Sequence, residues 1–163
     1  MRETNISSEL LEGAFDQNAT DLKGLFTTMP PSEKYLKFPY NYYAYLDGIT
    51  QRSTIIFTYL CQQLHLALVN KHCFIYPSAK EISEKTGIYI NRVYDSLNEL
   101  DDKKLIFVVR LSDSTKTRNK LVIFIPCMHS EKGIKHLAKI VEKLFPDISQ
   151  ELALKMLKEC RKD

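Results

Sequence analysis

The sequence predicts an α+β fold that is mainly helical. A long apolar helix is predicted after residue 50, and in several later segments apolar residues recur at helical spacing. Between residues 105 and 125 this spacing gives way to two short runs of β-branched and aromatic residues, which indicate strands. The chain has 163 residues, of which 44% are hydrophobic. That length and composition are enough to bury a core.

The N-terminal stretch, residues 1–33, is acidic. It carries two basic and six acidic side chains, a net charge of −4, so the remainder of this +3 chain has a net charge of +7. Glycine and proline interrupt its two short apolar patches. We expect a flexible acidic arm, which either folds on a protein partner or screens a basic face of the same chain. The basic remainder is compatible with a polyanionic partner.

Residues 34–45 are dense in lysine and tyrosine. Such a pattern can stack on unpaired bases, but it also suits an extended segment packed on the domain, and we favour packing. A turn at Asp47-Gly48 follows, and Thr50 opens a long helix to about Leu68. This helix is apolar on most of its circumference. It is therefore a central core helix, or its outer face is covered by the arm, the C-terminal helices or a second copy of the chain.

Two helices separated by a glycine are predicted between residues 78 and 100. Ser78 and Glu81 have the spacing of a capping box, and Gly87 supplies the left-handed residue that ends the first helix. The second helix begins near Ile90 or Asn91. Three apolar residues at helical spacing face inward, namely Val93, Leu97 and Leu100. That leaves an outward set of Asn91, Arg92, Tyr94, Asp95 and Asn98.

A β-hairpin follows, with strands at 105–111 and 121–125 and a polar loop at 112–120. Both strands are apolar at successive positions, which indicates that each face of the sheet is covered. Residues 73–76 are predicted to pair with the hairpin as a further short strand. The C-terminal segment is expected to cover the sheet as a helical hairpin with a lysine-rich outer face. Its first helix begins at Ser130, and Asp147 caps the second.

The stretch from 77 to 126 resembles the winged helix-turn-helix DNA-binding domain. The resemblance lies in residues 78–88, in Val93, Leu97 and Leu100, and in Leu105-Ile106. With the preceding long helix, the order of elements is loosely similar to the N-terminal domain of plasmid and phage replication initiators. It is also similar to stand-alone transcriptional regulators. The predicted organisation is an arm at 1–33, a winged helix domain at 34–126 with a small antiparallel sheet, and a C-terminal helical hairpin at 127–163. That hairpin packs on the domain or forms a dimer contact.

The resemblance implies that double-stranded DNA is the partner, with the second helix in the major groove and the hairpin loop along phosphates. The candidate DNA-binding residues on the helices are Lys80, Lys85, Tyr89, Asn91, Arg92, Tyr94 and Asn98. Those in the hairpin loop are Thr115, Lys116, Thr117, Arg118 and Lys120. Asp95 and Glu99 make the presumed reading helix about neutral. The alternative is therefore a winged helix used for protein contact without DNA binding.

Signals for an enzyme or a metal site are weak. There is no glycine-rich phosphate loop and no nucleophile motif, so we expect no catalytic residues, no cofactor and no metal. The four cysteines are scattered, which favours reduced, buried thiols over disulfides. Cys127, His129 and His136 match no established zinc spacing.

The cellular setting is predicted from the same composition. No apolar run approaches the roughly 20 residues that cross a bilayer, and the first residues are unlike a signal peptide. We therefore expect a cytoplasmic protein without a membrane partner. The sequence does not decide whether the protein is a monomer or a homodimer.

Overall fold

The computed structural model describes residues 1–4, 6, 10–11, 41–111 and 120–161. Over these residues the protein is α+β, mainly helical, with a small mixed sheet. The strands are β1 (Arg2–Thr4), β2 (Phe107–Leu111) and β3 (Leu121–Phe124). The helices are α1 (Tyr42–Leu46), α2 (Gln51–Val69), α3 (Ala79–Thr86), α4 (Ile90–Asp102), α5 (Glu131–Leu144) and α6 (Gln150–Glu159).

The sheet has the order β1-β2-β3. The sequence predicted a purely antiparallel sheet, and this prediction is wrong because one of the two strand pairs is parallel. β2 and β3 form the expected antiparallel hairpin, with Phe107 opposite Phe124. β1 adds a parallel strand on the other edge of β2, with Arg2 opposite Val109. The described part of residues 1–33 thus departs from the expected flexible arm, because β1 pairs its backbone with the sheet. The remainder of the arm lies outside the described residues.

The expected strand at residues 73–76 is reduced to one bridge. Ile75 and Ile123 exchange two backbone hydrogen bonds, of 3.1 and 2.8 Å, on the free edge of β3. This bridge connects the end of the α2 region to the hairpin. It places the start of α3 beside the base of β3.

The long helix α2 begins and ends close to its predicted bounds. The Thr50 side chain caps it by accepting the Ser53 N–H, and most of its apolar residues are buried. Two of them, Ile55 and Leu66, stay exposed. The preceding segment packs against α2 where it is described, because the Tyr42 ring stacks on Phe57 at 5.8 Å. Residues 34–40 lie outside the described residues.

The helix pair α3–α4 has the predicted local chemistry. Both bonds of the capping box between Ser78 and Glu81 are present, and Gly87 ends α3 with φ +73°. A side chain at that φ is strained, which explains the glycine. The three inward residues of α4, Val93, Leu97 and Leu100, are fully buried as predicted.

Helices contact both faces of the sheet. Arg110 of β2 lies over the Tyr94 ring of α4, whereas Phe107 contacts Phe145 at the end of α5. Side chains three positions apart on a strand point to opposite faces. The α3–α4 pair and the C-terminal helices therefore cover opposite faces of the sheet, which is why every hairpin strand residue except Arg110 is apolar and buried.

The C-terminal helices form the predicted hairpin, with one correction to their caps. Ser130 caps α5 as expected, but the cap of α6 is Ser149 and not Asp147. The Ser149 hydroxyl accepts the Leu152 N–H at 3.2 Å. The reason for the later start is that residues 146–148 form a turn, which leaves Asp147 outside the helix.

Candidate nucleic-acid interface

The outward face of α4 presents an uncovered set of side chains. Tyr89, at the position that caps the helix, is 84% exposed and its side chain makes no capping bond. Ile90 is 43% exposed, and Asn91, Arg92 and Asn98 are exposed as predicted. Burial of α4 against α2 and the sheet does not require any of these side chains. They are available to a partner.

The single arginine of this face is held by a carboxylate. Arg92 Nη1 lies 3.2 Å from Asp95 Oδ2, one turn further along α4. Both side chains are more than half exposed, so the pair contributes less than about 1 kcal/mol. The guanidinium is therefore oriented and partly neutralised by Asp95, and a stronger acceptor can displace the carboxylate.

Tyr94 was predicted to project outward from α4, and this prediction is wrong. It is half-buried, and the Arg110 guanidinium lies 5.3 Å from the centre of its ring. Arg110 also lies 3.8 Å from Glu3 of β1. Position 94 falls at the edge of the buried stripe of α4, where the β2 side chain covers it. Tyr94 thus joins α4 to the sheet.

Lys120 occupies a different place from the predicted loop position. It lies at the base of the hairpin, and its Nζ is 2.8 Å from Glu81 of α3 and 5.9 Å from the centre of the Tyr76 ring. Burial acts to raise the pKa of Glu81, but the bonds from Lys120 and from Ser78 outweigh it and lower that pKa. Lys120 therefore fastens the hairpin to α3. Thr115, Lys116, Thr117 and Arg118 lie outside the described residues.

The two lysines predicted on α3 are exposed. Lys80 lies 3.7 Å from Glu84 on the next turn, a pair in which both side chains are open to solvent. Lys85 lies in the last turn of α3, shortly before Gly87. Both lysine side chains are long and flexible enough for their ammonium groups to reach a phosphate beside α4.

A polar network that sequence patterns did not predict joins the start of α2 to α4. Glu99 accepts hydrogen bonds from the Thr50 backbone at 3.0 Å, the Thr50 hydroxyl at 2.8 Å and the Ser53 hydroxyl. The Ser53 bond, followed by those of Thr50, outweighs burial and holds the pKa of Glu99 below its ordinary value. Arg52 donates to Ser96 of α4 at 3.0 Å. Glu99 is thus a structural acceptor, and its charge is offset within the fold.

This network predicts a pH-dependent contribution to stability. Because folding lowers the pKa of Glu99, its contribution is present above the unfolded value of about 4.3 and is lost as pH falls through the folded pKa. We expect Glu99→Gln to reduce the free energy of unfolding at pH about 6. At pH about 3.5 the free energies of unfolding of the variant and the wild type should lie closer together. Urea unfolding at each pH measures these free energies. Glu142→Gln, at an exposed site on α5, is the control; an equal narrowing there would contradict the role of Glu99.

Comparison of the chain with protein-family models, curated proteins and solved structures found no match in any of the three.

The buried cysteines and histidines have no geometry for metal binding among the described residues, where no group of three or more candidate ligands occurs. Burial raises the pKa of the Cys127 and Cys160 thiols to about 12, so they are protonated at neutral pH. Burial likewise lowers the pKa of His129 to about 3. These side chains are core residues. In the described part of the chain, no helix has the length and apolar content to cross a membrane.

Proposed function

We propose that α2, α3, α4 and the β2–β3 hairpin form a winged helix-turn-helix that binds duplex DNA through α4. The observation that carries the proposal is the capped and glycine-terminated α3 followed by α4, whose exposed face holds amide, guanidinium and aromatic side chains that the core does not use. Helix α4 has 13 residues, enough to lie in a major groove about 12 Å wide. The hairpin beside it is suited to contact the adjacent backbone.

Each exposed residue of α4 has a chemical role in this proposal. Asn91 and Asn98 carry the side-chain amide that pairs with the N6 and N7 edge of adenine. Arg92 takes guanine or a phosphate after release from Asp95, and Tyr89 packs on a thymine methyl or the backbone. Lys80 and Lys85 contact phosphates from α3. The network around Glu99 holds α4 against α2, which fixes the orientation of the reading face.

A protein of this kind acts as a transcriptional regulator or as a plasmid or phage replication initiator-like protein. Both roles need a helix that selects a DNA sequence. The alternative is a winged helix that contacts another protein. It is favoured by one observation, the pairing of Lys80, Arg92 and Lys120 with carboxylates, which reduces the positive charge near α4.

The salt dependence of duplex binding separates these two functions. With about four phosphate contacts, the affinity for labelled duplex is expected to fall roughly 100-fold between about 50 and 200 mM salt. The measurement is fluorescence anisotropy across a salt series, and Lys85→Gln is expected to lower the slope by about one. Duplex binding that is absent, or independent of salt, supports the protein-contact function instead.

A further inference from the structure

Helix α5 carries a row of four lysines on its outer side: Lys132, Lys135, Lys139 and Lys143. All four are exposed, and their spacing of three, four and four residues places them on one face. The buried residues of α5, among them Ile134, Leu137 and Val141, lie on the opposite face. At 1.5 Å per residue the row is roughly 16 Å long. We refer to these four residues as the lysine row.

The lysine row points away from the α4 face. The α3–α4 pair covers the side of the sheet to which Arg110 points, and the end of α5 covers the side to which Phe107 points. Because the apolar face of α5 is buried, its lysines project from the outer surface of this second layer. A duplex seated on α4 is therefore separated from the lysine row by the sheet and by α5 itself.

The two surfaces also differ in how their charges are used. Near α4, the cations Lys80, Arg92, Arg110 and Lys120 each lie within 4 Å of a carboxylate oxygen. In contrast, Lys132, Lys135 and Lys139 take part in none of the ion pairs found within the described residues. Most of the cations named near α4 are therefore paired with a carboxylate, whereas these three lysines of the row are not.

The imidazole of His136 lies beside the lysine row. Burial lowers the pKa of His136, and the nearby charges of Lys139 and Lys143 lower it further. Cations that disfavour a further proton at this site attract an anion to it by the same interaction.

We infer that the lysine row is a second contact for the duplex backbone, so that one molecule bridges two DNA segments. The inference rests on the proposed function for the contact at α4. The chemistry of the row is that of lysine point charges on phosphates, which binds without regard to sequence. Each lysine of the row can neutralise one phosphate, so the row can make up to about four phosphate contacts.

A bridging assay tests the inference with the full chain. One duplex is fixed to beads, a second fluorescent duplex is added, and the protein-dependent recovery of fluorescence on the beads is measured. The row variant combines Lys132→Gln, Lys135→Gln and Lys139→Gln, which removes each charge and leaves a polar side chain. We expect it to bridge at least tenfold less than wild type while its affinity for a single target duplex falls less than threefold. The salt slope of its sequence-independent binding should fall by roughly two to three.

A matched control removes the same charge elsewhere. Lys71→Gln, Lys103→Gln and Lys155→Gln change three exposed lysines on other parts of the surface, and bridging should stay within twofold of wild type. If the row variant bridges duplexes as well as wild type does, the inference is overturned. A dimer that binds one duplex on each of its two α4 faces would give that result. Wild-type binding of single duplexes without bridging also overturns the inference.

Variants of α4 show whether a negative result contradicts the lysine-row inference or the proposed function of α4. With Asn91, Arg92 and Asn98 replaced by alanine, sequence-specific binding should be lost, and weak, salt-dependent binding through the lysine row should remain. If these replacements change neither binding nor bridging while the row variant loses both, the α4 proposal fails and the lysine row is the surface that binds DNA. A wild-type protein that binds no duplex overturns both.

Discussion

Phe124→Ala is expected to lower the free energy of unfolding by about 3–5 kcal/mol, among the largest effects of any single substitution in this chain. Phe124 is fully buried in β3. Its ring centre lies 5.4 Å from that of Phe74 and 5.9 Å from that of Phe107, which in turn contacts Phe145 after α5. Truncation opens a cavity where the hairpin, the α2–α3 connection and the C-terminal layer meet.

The loss is measured by urea unfolding and by the melting temperature, which should fall by roughly 10 °C. Tyr43→Ala provides the control, because Tyr43 is an aromatic residue that is 83% exposed. Its effect should stay within about 0.5 kcal/mol. A loss below about 1 kcal/mol for Phe124→Ala would mean that the hairpin does not unite the two layers as described.

Features of the fold that depend on neighbouring residues were predictable from the sequence. The capping box of Ser78 and Glu81, the left-handed Gly87 and the inward stripe of α4 each follow from spacing over three to seven residues. The covered faces of the hairpin were also predictable, because strands that are apolar at successive positions need a layer on each side.

Contacts between distant segments were not predictable in this way. The pairing of β1 with β2 joins residues about a hundred positions apart, and the acidic composition around β1 suggested no strand. Glu99 and Lys120 look like surface charges in the sequence. Only the packing of α2 against α4, and of the hairpin against α3, brings Thr50 to Glu99 and Glu81 to Lys120.

The candidate sites also combine features that local sequence spacing predicts with features that depend on contacts between distant segments. The exposed residues of α4 were identified from helical periodicity, except Tyr94, which Arg110 covers from another element. The lysine row is visible as a spacing pattern on α5. Its separation from α4, and the pairing of the cations near α4, became apparent only with the layers and ion pairs in place.

The largest functional effect is expected from the exposed face of α4. The triple variant Asn91→Ala, Arg92→Ala and Asn98→Ala removes together the two amides and the guanidinium that we propose contact base edges. Each good bidentate contact contributes about 1–3 kcal/mol of discrimination, so affinity for the preferred duplex should fall at least about 100-fold. Because all three side chains are exposed, the melting temperature should change little.

The matched control alters the same kinds of side chain away from α4. Gln62→Ala, Gln150→Ala and Lys155→Ala remove two amides and one cation at exposed positions on α2 and α6. This variant should bind the preferred duplex as wild type does. It separates loss of the reading face from a general loss of polar surface.

The most direct measurement is the affinity of wild type, triple variant and control for a duplex that wild type selects from a random pool, by anisotropy at one fixed salt concentration. We expect unchanged binding by the control and a loss of at least about 100-fold by the triple variant, down to the level of unselected duplex. Equal affinity of all three proteins for the selected duplex would contradict this expectation, because α4 would then not be the surface that reads DNA.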